Sequence, residues 1–251
     1  MWYTDLCEYY NVSVEDAIEL GTRRSGRKPN LPSSPTCEAV SGKTFEELWD
    51  CKPRDTIQKK MDFYKDIGAW QVFRQCNYRK DYDYAKKFYP YLFNGCSIVE
   101  YGCGVAPLTN FIIENPRDFD INSMNFSLVD VGGEHLNFAK WRLHKKAPHA
   151  SFNFHEISQD CMLPVFDRKF DIICVMDVLE HVPNPYDVIN NLCNHSNSNA
   201  MMVETWVDKS HTASGPDLQE AEDERDITMT LIDCNFKWLS GRSARVHIKR
   251  N

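Results

Sequence analysis

Two patterns of apolar residues divide the chain. Up to about residue 93 the apolar positions recur at helical spacing, without strand alternation. Between Thr56 and Tyr78, residues Ile57, Met61, Tyr64, Ile67, Trp70 and Phe73 mark a helical pattern, with Gly68 as a point of interruption. Ser13-Val14-Glu15-Asp16 and Thr44-Phe45-Glu46-Glu47 each set an acid three residues beyond a Ser or Thr, as a capping box does. Asp81 to Tyr91 predicts one more short helix. From residue 96 the pattern changes to short apolar runs separated by amphipathic stretches. Strands are predicted over Cys96–Tyr101, Phe126–Asp130, Ser151–Ile157, Phe170–Met176 and Ala200–Trp206. Helices are predicted over Leu108–Glu114, Glu134–Lys145, Pro185–Cys193 and Asp217 to about Asp233. Phe236–Ser240 and Ala244–Lys249 then flank Gly241-Arg242-Ser243, a connection of hairpin length. Repeated strand–helix units predict an α/β fold, with a Rossmann-like parallel sheet between helical layers and an antiparallel hairpin at its C-terminal end. The helical region, residues 1–93, is expected to form a cap on the sheet domain, residues 94–251.

The first strand runs into Gly102-Cys103-Gly104-Val105-Ala106-Pro107. Two glycines let the backbone turn sharply and approach a ligand, and Pro107 suits a first helical turn. Such a turn presents free N–H groups to an anionic group. A dinucleotide site has Gly-x-Gly-x-x-Gly and holds a pyrophosphate there. Here Pro107 stands at the third glycine position, and Glu100 lies two residues before Gly102. A carboxylate at that place repels a pyrophosphate and attracts an ammonium or sulfonium. Asp130, at the end of the second strand, offers two acceptor oxygens to the cis-diol of a ribose. That chemistry suits S-adenosylmethionine and NAD alike.

The stretch Phe170-Asp171-Ile172-Ile173-Cys174-Val175-Met176-Asp177-Val178-Leu179-Glu180-His181-Val182-Pro183-Asn184-Pro185, together with the glycine turn, resembles class I S-adenosylmethionine-dependent methyltransferases. The resemblance is strongest to the group that includes ubiquinone-biosynthesis O-methyltransferases, and it spans roughly residues 96 to 206. It implies that Glu100, Tyr101, Gly102, Cys103, Gly104, Asp130, Val131 and Met176 contact the cofactor. It places the adenine near Ser158-Gln159-Asp160-Cys161-Met162-Leu163-Pro164. Asp160 stands one residue closer to Leu163-Pro164 than that pattern has it, so Ser158 or Gln159 takes the contact. Asp177, Glu180 and His181 fall on one face if their segment is helical. His181 is the candidate general base, taking the proton of an attacking hydroxyl. Alternatively Asp177, Glu180 and His181, with His211, hold a divalent cation, as in the similar motif of small-RNA 3′-end 2′-O-methyltransferases. A third reading has Glu180 and His181 fixing the loop and the Asn184-Pro185 helix start.

Composition narrows the partners. A net charge of −7 argues against a strong phosphate-driven grip on long nucleic acid. The basic run Arg23-Arg24-Ser25-Gly26-Arg27-Lys28 is a solvated loop or a local anion site. No run approaches membrane-spanning length, the N-terminus lacks signal-peptide regions, and ten cysteines show no Cys-x-x-Cys pair. A cytoplasmic protein with reduced thiols is expected, with no membrane partner and its oligomeric state left open. The aromatics of the cap predict that Tyr64, Trp70 and Arg74 line a substrate pocket. The Asn- or Asp-Pro-Pro-aromatic motif of methyltransferases acting on amide and base nitrogens is missing after the fourth strand, which weighs toward an oxygen acceptor. The expected activity is methyl transfer to a small hydroxylated metabolite, sugar or lipid precursor, with S-adenosylmethionine and without an obligatory metal. The alternatives are a metal-dependent RNA 2′-O-methyltransferase and a non-catalytic S-adenosylmethionine-binding regulator.

Overall fold

The computed structural model describes residues 2–22, 45–53, 55–78, 86–158, 161–206, 217–241 and 244–250. Among the described residues, five helices come first: α1 (Trp2–Tyr10), α2 (Val14–Thr22), α3 (Phe45–Cys51), α4 (Ile57–Asp66) and α5 (Gly68–Tyr78). Strands and helices then alternate: β1 (Ser97–Tyr101), α6 (Pro107–Glu114), β2 (Asn125–Asp130), α7 (Glu134–Lys146), β3 (Ser151–Glu156), β4 (Phe170–Met176), α8 (Pro185–Asn194) and β5 (Ser196–Thr205). Two helices, α9 (Gln219–Asp223) and α10 (Arg225–Asn235), precede β6 (Phe236–Ser240) and β7 (Arg245–Lys249).

The seven strands form one sheet in the order β3-β2-β1-β4-β5-β7-β6. The first five run parallel, and β7 enters antiparallel between β5 and β6. This is the expected parallel sheet with a C-terminal hairpin, in the strand order of the class I methyltransferase fold. Strand alternation distributes the core over both faces. Ile98, Ile172 and Cys174 pack with Leu108, Ile112, Leu136 and Leu143 on one face. Val99, Ile173 and Val175 pack with Val188, Ile189, Leu192 and Ile232 on the other. The reversed strand is clasped by an ion pair: the half-buried Arg245 donates from Nε and Nη2 to the fully buried Glu204 at 2.5 and 2.9 Å.

The N-terminal helices join these cores. Trp49, Met61, Phe63 and Ile67 belong to the same cluster as Val99 and Ile173. Phe73, Val72 and Cys76 of α5 pack against Val105 and Phe138. Gly68 adopts φ +52° and separates α4 from α5, at the predicted interruption. Ser13 Oγ accepts from Asp16 N–H at 3.0 Å, the local bond its capping pattern predicts. Thr44 lies outside the described residues.

Three predicted elements differ. Pro90 sits in the first turn of what is only a short 3-10 helix, Tyr89–Tyr91, at the end of the span expected to be helical; residues 81–85 lie outside the described set. β5 begins at Ser196, because an irregularity between Phe170 and Ile172 lets polar residues join the ladder ahead of Ala200. The helix expected from Asp217 is split at Glu224, whose carboxylate accepts from Tyr186 N–H at the start of α8. Cys76, Cys96, Cys103, Cys174 and Cys193 are buried, whereas Cys51, Cys161 and Cys234 are exposed. No helix among the described residues is long and apolar enough to cross a membrane.

Candidate functional site

Register assembles the site. Tyr101 lies opposite Val129 on one side and Val175 on the other. The residues that follow, Gly102, Asp130 and Asp177, therefore gather at the carboxyl edge of the sheet, where strand order reverses between β1 and β4. A cavity of about 300 Å³ opens there. Its sheet side is lined by Tyr101, Gly102, Gly104, Asp130, Val131, His135, Ile157, Asp177, Val178, His181 and Val182, and its cap side by Tyr64, Gln71, Arg74 and Gln75.

Gly102 adopts φ +67°, and a Cβ there would stand 2.2 Å from Val178 Cγ2. Only glycine meets both demands. Gly104 also has positive φ, and its N–H donates to Asp130 Oδ2 at 2.7 Å. The next N–H, of Val105, donates to Gln75 Oε1 at 3.2 Å, which ties the cap to the turn. From behind, the fully buried Arg142 donates to the Val105 carbonyl at 2.7 Å while its guanidinium lies 3.7 Å from the centre of the Trp2 ring.

Glu100 is placed differently from the sequence-based expectation. Its carboxylate accepts from the N–H groups of Leu108 and Thr109, at 3.2 and 3.1 Å, and from Thr109 Oγ1 at 2.7 Å. It caps the start of α6, where helix N–H groups lack partners of their own. Burial pushes its carboxyl up to about 7, although these hydrogen bonds and Arg142 pull the other way. Glu100 lines a smaller adjoining cavity with Cys103, Met176 and Cys174 rather than the main one. Its charge therefore serves the helix start, and the contrast with a pyrophosphate site cannot rest on it.

Asp130 sits at the centre of a tight network. Oδ1 accepts from Val131 N–H at 2.8 Å and meets His135 Nε2 at 2.8 Å, while Oδ2 holds Gly104. Burial would raise its carboxyl, but His135 and the two backbone N–H groups hold it below the ordinary range.

Across the cavity, Asp177 ends β4 with φ +54°, a left-handed conformation that Asp tolerates better than most residues. Thr205 fixes it: the hydroxyl accepts from Asp177 N–H at 2.6 Å and donates to its Oδ1 at 2.7 Å. His181 lines the cavity with Nδ1 3.4 Å from Asp217 Oδ1. Glu180 is buried, its Oε2 without a hydrogen-bond partner. Burial pushes its carboxyl up to about 8, helped by the charges of Asp177, Asp217 and Glu204. Among the described residues, no three His, Cys, Asp or Glu side chains converge as a metal site. His211 lies outside them, as do Gln159, Asp160, Arg23, Arg24, Arg27 and Lys28.

Of the remaining predicted positions, Tyr64 and Arg74 reach the cavity, while Trp70 stands beside Arg74, its ring centre 5.4 Å from the guanidinium carbon. Ser158 is drawn into a tight turn with Cys161, and Ile157 before it lines the cavity. Gln71, Gln75, His135 and Asp217 were not anticipated. Gln71 and Gln75 share a helical stripe with Arg74, a polar signal inside an aromatic pattern. His135 is the second residue of α7, the helix that follows Asp130.

A family model described as a methyltransferase domain matches residues 70–244. A ubiquinone biosynthesis O-methyltransferase of Colwellia psychrerythraea is 31% identical over 153 residues, covering 61% of this chain and 54% of that protein. One from Hydrogenovibrio crunogenus is 27% identical over 111 residues, covering 44% of this chain and 40% of that protein. The chain thus spans about half or less of the length of these curated relatives. Among solved structures, the N-methyltransferase NodS of Bradyrhizobium japonicum, in complex with S-adenosyl-L-homocysteine, has a TM-score of 0.49 at 11% identity, covering 69% of this chain and 87% of that one. Magnesium protoporphyrin IX methyltransferase of Synechocystis has a TM-score of 0.49 at 12% identity, covering 81% and 93%. With more than half of its length matched by the family model and its strands in the class I order, the chain belongs to the methyltransferase-domain family, as a class I, S-adenosylmethionine-dependent member.

Proposed function

We infer that the protein transfers a methyl group from S-adenosylmethionine to a hydroxyl oxygen of a small molecule. The observation that carries this reading is the placement of His181, paired with Asp217, on the wall of the same cavity that the Gly102–Gly104 turn and Asp130 enter. The names of the two curated relatives support an oxygen acceptor.

The lining fits the cofactor's charges. S-adenosylmethionine carries a sulfonium, an ammonium and a carboxylate. The cavity presents the carboxylates of Asp130 and Asp177 and the guanidinium of Arg74. At Gly102 the place a Cβ would take is filled by Val178, so the turn packs directly against a side chain of the cavity wall. Gly102, Gly104, Asp130 and Val131 would hold the adenosine portion, with Tyr101, Cys103, Met176 and the turn near Ser158 around it. Bound there, S-adenosylmethionine supplies an electrophilic methyl carbon.

The chain's own residues then bind, orient and handle a proton. Tyr64 and Arg74 close the cavity from the cap and orient the acceptor, and Trp70 braces Arg74. Fixing both reactants in line can supply about 7–11 kcal/mol of the barrier reduction in favourable cases. Asp217 Oδ1 stands 3.4 Å from His181 Nδ1, so Nε2 is the nitrogen assigned to the acceptor's hydroxyl proton. Asp177, locked by Thr205, fixes the loop on which His181 stands.

The test is methyl transfer to a panel of hydroxylated and amine-bearing small molecules, followed by mass spectrometry, with and without a chelator. Transfer to hydroxyls that survives chelation is expected. His181→Ala should lower kcat about 10²–10⁴-fold, the usual contribution of general-base catalysis, with S-adenosylhomocysteine affinity nearly unchanged. Methylation of amines alone, or an unaltered kcat in the variant, would refute the reading.

A further inference from the structure

Asp130 cannot serve a ribose alone. An ionised carboxylate has about four lone-pair sites. Gly104 N–H takes one on Oδ2, and Val131 N–H and His135 Nε2 take two on Oδ1. One site remains, whereas the cis-diol of a ribose has two hydroxyls to donate. The second acceptor lies next door. Because the carboxylate of Asp130 can only accept, the proton between it and His135 belongs to Nε2. In the neutral ring, Nδ1 is then an acceptor. His135 is 3% exposed, lines the cavity, and its Nδ1 is a buried atom with no hydrogen-bond partner. A buried polar atom without a partner is costly to leave so, which makes it a mark of something that binds there.

We propose that His135 and Asp130 read the cofactor's ribose as one unit, Asp130 accepting from one hydroxyl and His135 Nδ1 from the other, with the Nε2–Oδ1 bond holding both in register. This rests on the reading that the cavity binds the adenosine of S-adenosylmethionine with its sugar at Asp130. His135 is thereby a specificity-determining residue for the sugar edge. It also positions Asp130, and through Oδ2 the glycine turn. The sequence offers no motif for it, since its role depends on the first turn of α7 folding back over the end of β2.

The test is calorimetric titration with S-adenosylhomocysteine and with its 2′-deoxy and 3′-deoxy analogues. The proteins are the wild type, His135→Ala, His135→Gln and Asp130→Asn, with binding stoichiometry and melting temperature confirming that each is folded. The wild type should bind both deoxy analogues at least fivefold more weakly than the parent. His135→Ala should weaken the parent about tenfold and abolish the penalty for one deoxy analogue while keeping it for the other. His135→Gln, which retains an amide donor and an acceptor, should restore part of the affinity. In turnover, His135→Ala should raise KM for the cofactor by about the factor by which it weakens binding of the parent. The inference is overturned if folded His135→Ala binds the parent as the wild type does, or if it keeps both deoxy penalties. It is overturned as well, without any variant, if the wild type ignores both missing hydroxyls. If Asp130→Asn leaves affinity unchanged, it is the placement of the sugar at Asp130 that fails.

Discussion

A methyl group at residue 102 would fall inside the van der Waals envelope of Val178, a buried side chain on the cavity wall that would have to shift. The left-handed backbone adds a cost of about 1–2 kcal/mol for any residue with a Cβ. Gly102→Ala should therefore lower the melting temperature and weaken S-adenosylhomocysteine binding more than tenfold. The double variant Gly102→Ala/Val178→Ala should recover part of the stability, and denaturation of the two variants side by side checks it. Glu180 makes a prediction of different form. Its folded pKa, about 8, lies above its ordinary 4.5, because burial and the nearby Asp177, Asp217 and Glu204 all disfavour ionisation. Between those pH values the folded protein retains a proton that the unfolded chain releases. Stability must then fall as pH rises through that window and level off above it. Glu180→Gln removes this slope. The variant should gain on the wild type as pH rises from 5 to 8.5, by on the order of a few kcal/mol, and run parallel to it below 4.5. Glu100, raised in the same sense, contributes equally to both proteins, so the difference between their denaturation curves isolates Glu180. A constant difference across pH would mean that Glu180 is ionised in the native state.

At the scale of elements, the start of α6 shows what a sequence discloses and what it conceals. The glycine turn, the β-branched strand before it and Pro107 were legible because each follows from local backbone chemistry. The same holds for β4, whose bounds match the apolar run Phe170–Met176, and for the interruption at Gly68. Side-chain direction was not legible. An acid two residues before Gly102 can face a ligand or turn under the next helix. The choice is made by Leu108 and Thr109, whose N–H groups need an acceptor in a buried place. The split at Glu224 has the same origin, a tertiary hydrogen bond to Tyr186 that no local pattern contains. His135 and Asp217 escaped notice because the folding of a helix or loop brings them to the site, not their spacing. The cap role of Glu100 is open to measurement. Glu100→Ala leaves the N–H groups of Leu108 and Thr109 and the hydroxyl of Thr109 without their acceptor, each worth about 1–3 kcal/mol when buried, and should destabilise strongly. Glu100→Gln keeps one acceptor oxygen and should cost less, with S-adenosylhomocysteine affinity within threefold of the wild type. A tenfold loss of affinity without loss of stability would instead return the charge of Glu100 to the ligand.

At the scale of the molecule, the N-terminal helices are fastened to the glycine turn from two directions. Gln75 of α5 accepts from Val105 N–H on the cavity side, and Arg142 of α7 grips the Val105 carbonyl while stacking on Trp2 of α1. Residue 105 is thus held by the cap through one of its backbone groups and braced through the other. The cavity itself is walled by Tyr64, Gln71, Arg74 and Gln75 opposite Gly102, Asp130 and His181. Anything that binds there should therefore stabilise α4 and α5 together with the sheet, although their helical spacing sets them apart from it in the sequence. A ligand at a hundred times its Kd stabilises the native state by about 2.7 kcal/mol, and that gain appears in every amide whose opening requires the site to come apart. Hydrogen exchange in saturating S-adenosylhomocysteine should slow in α4 and α5 as much as in β1, β2 and the glycine turn, and little in β6, the sheet edge away from the site. Gln75→Ala, which removes the bond to Val105 N–H together with a small part of the cavity wall, should uncouple the two regions, so that at saturating ligand the sheet keeps its protection while α5 loses most of it. Protection confined to the sheet in the wild type would show that the cap covers the cavity without answering to what the cavity holds.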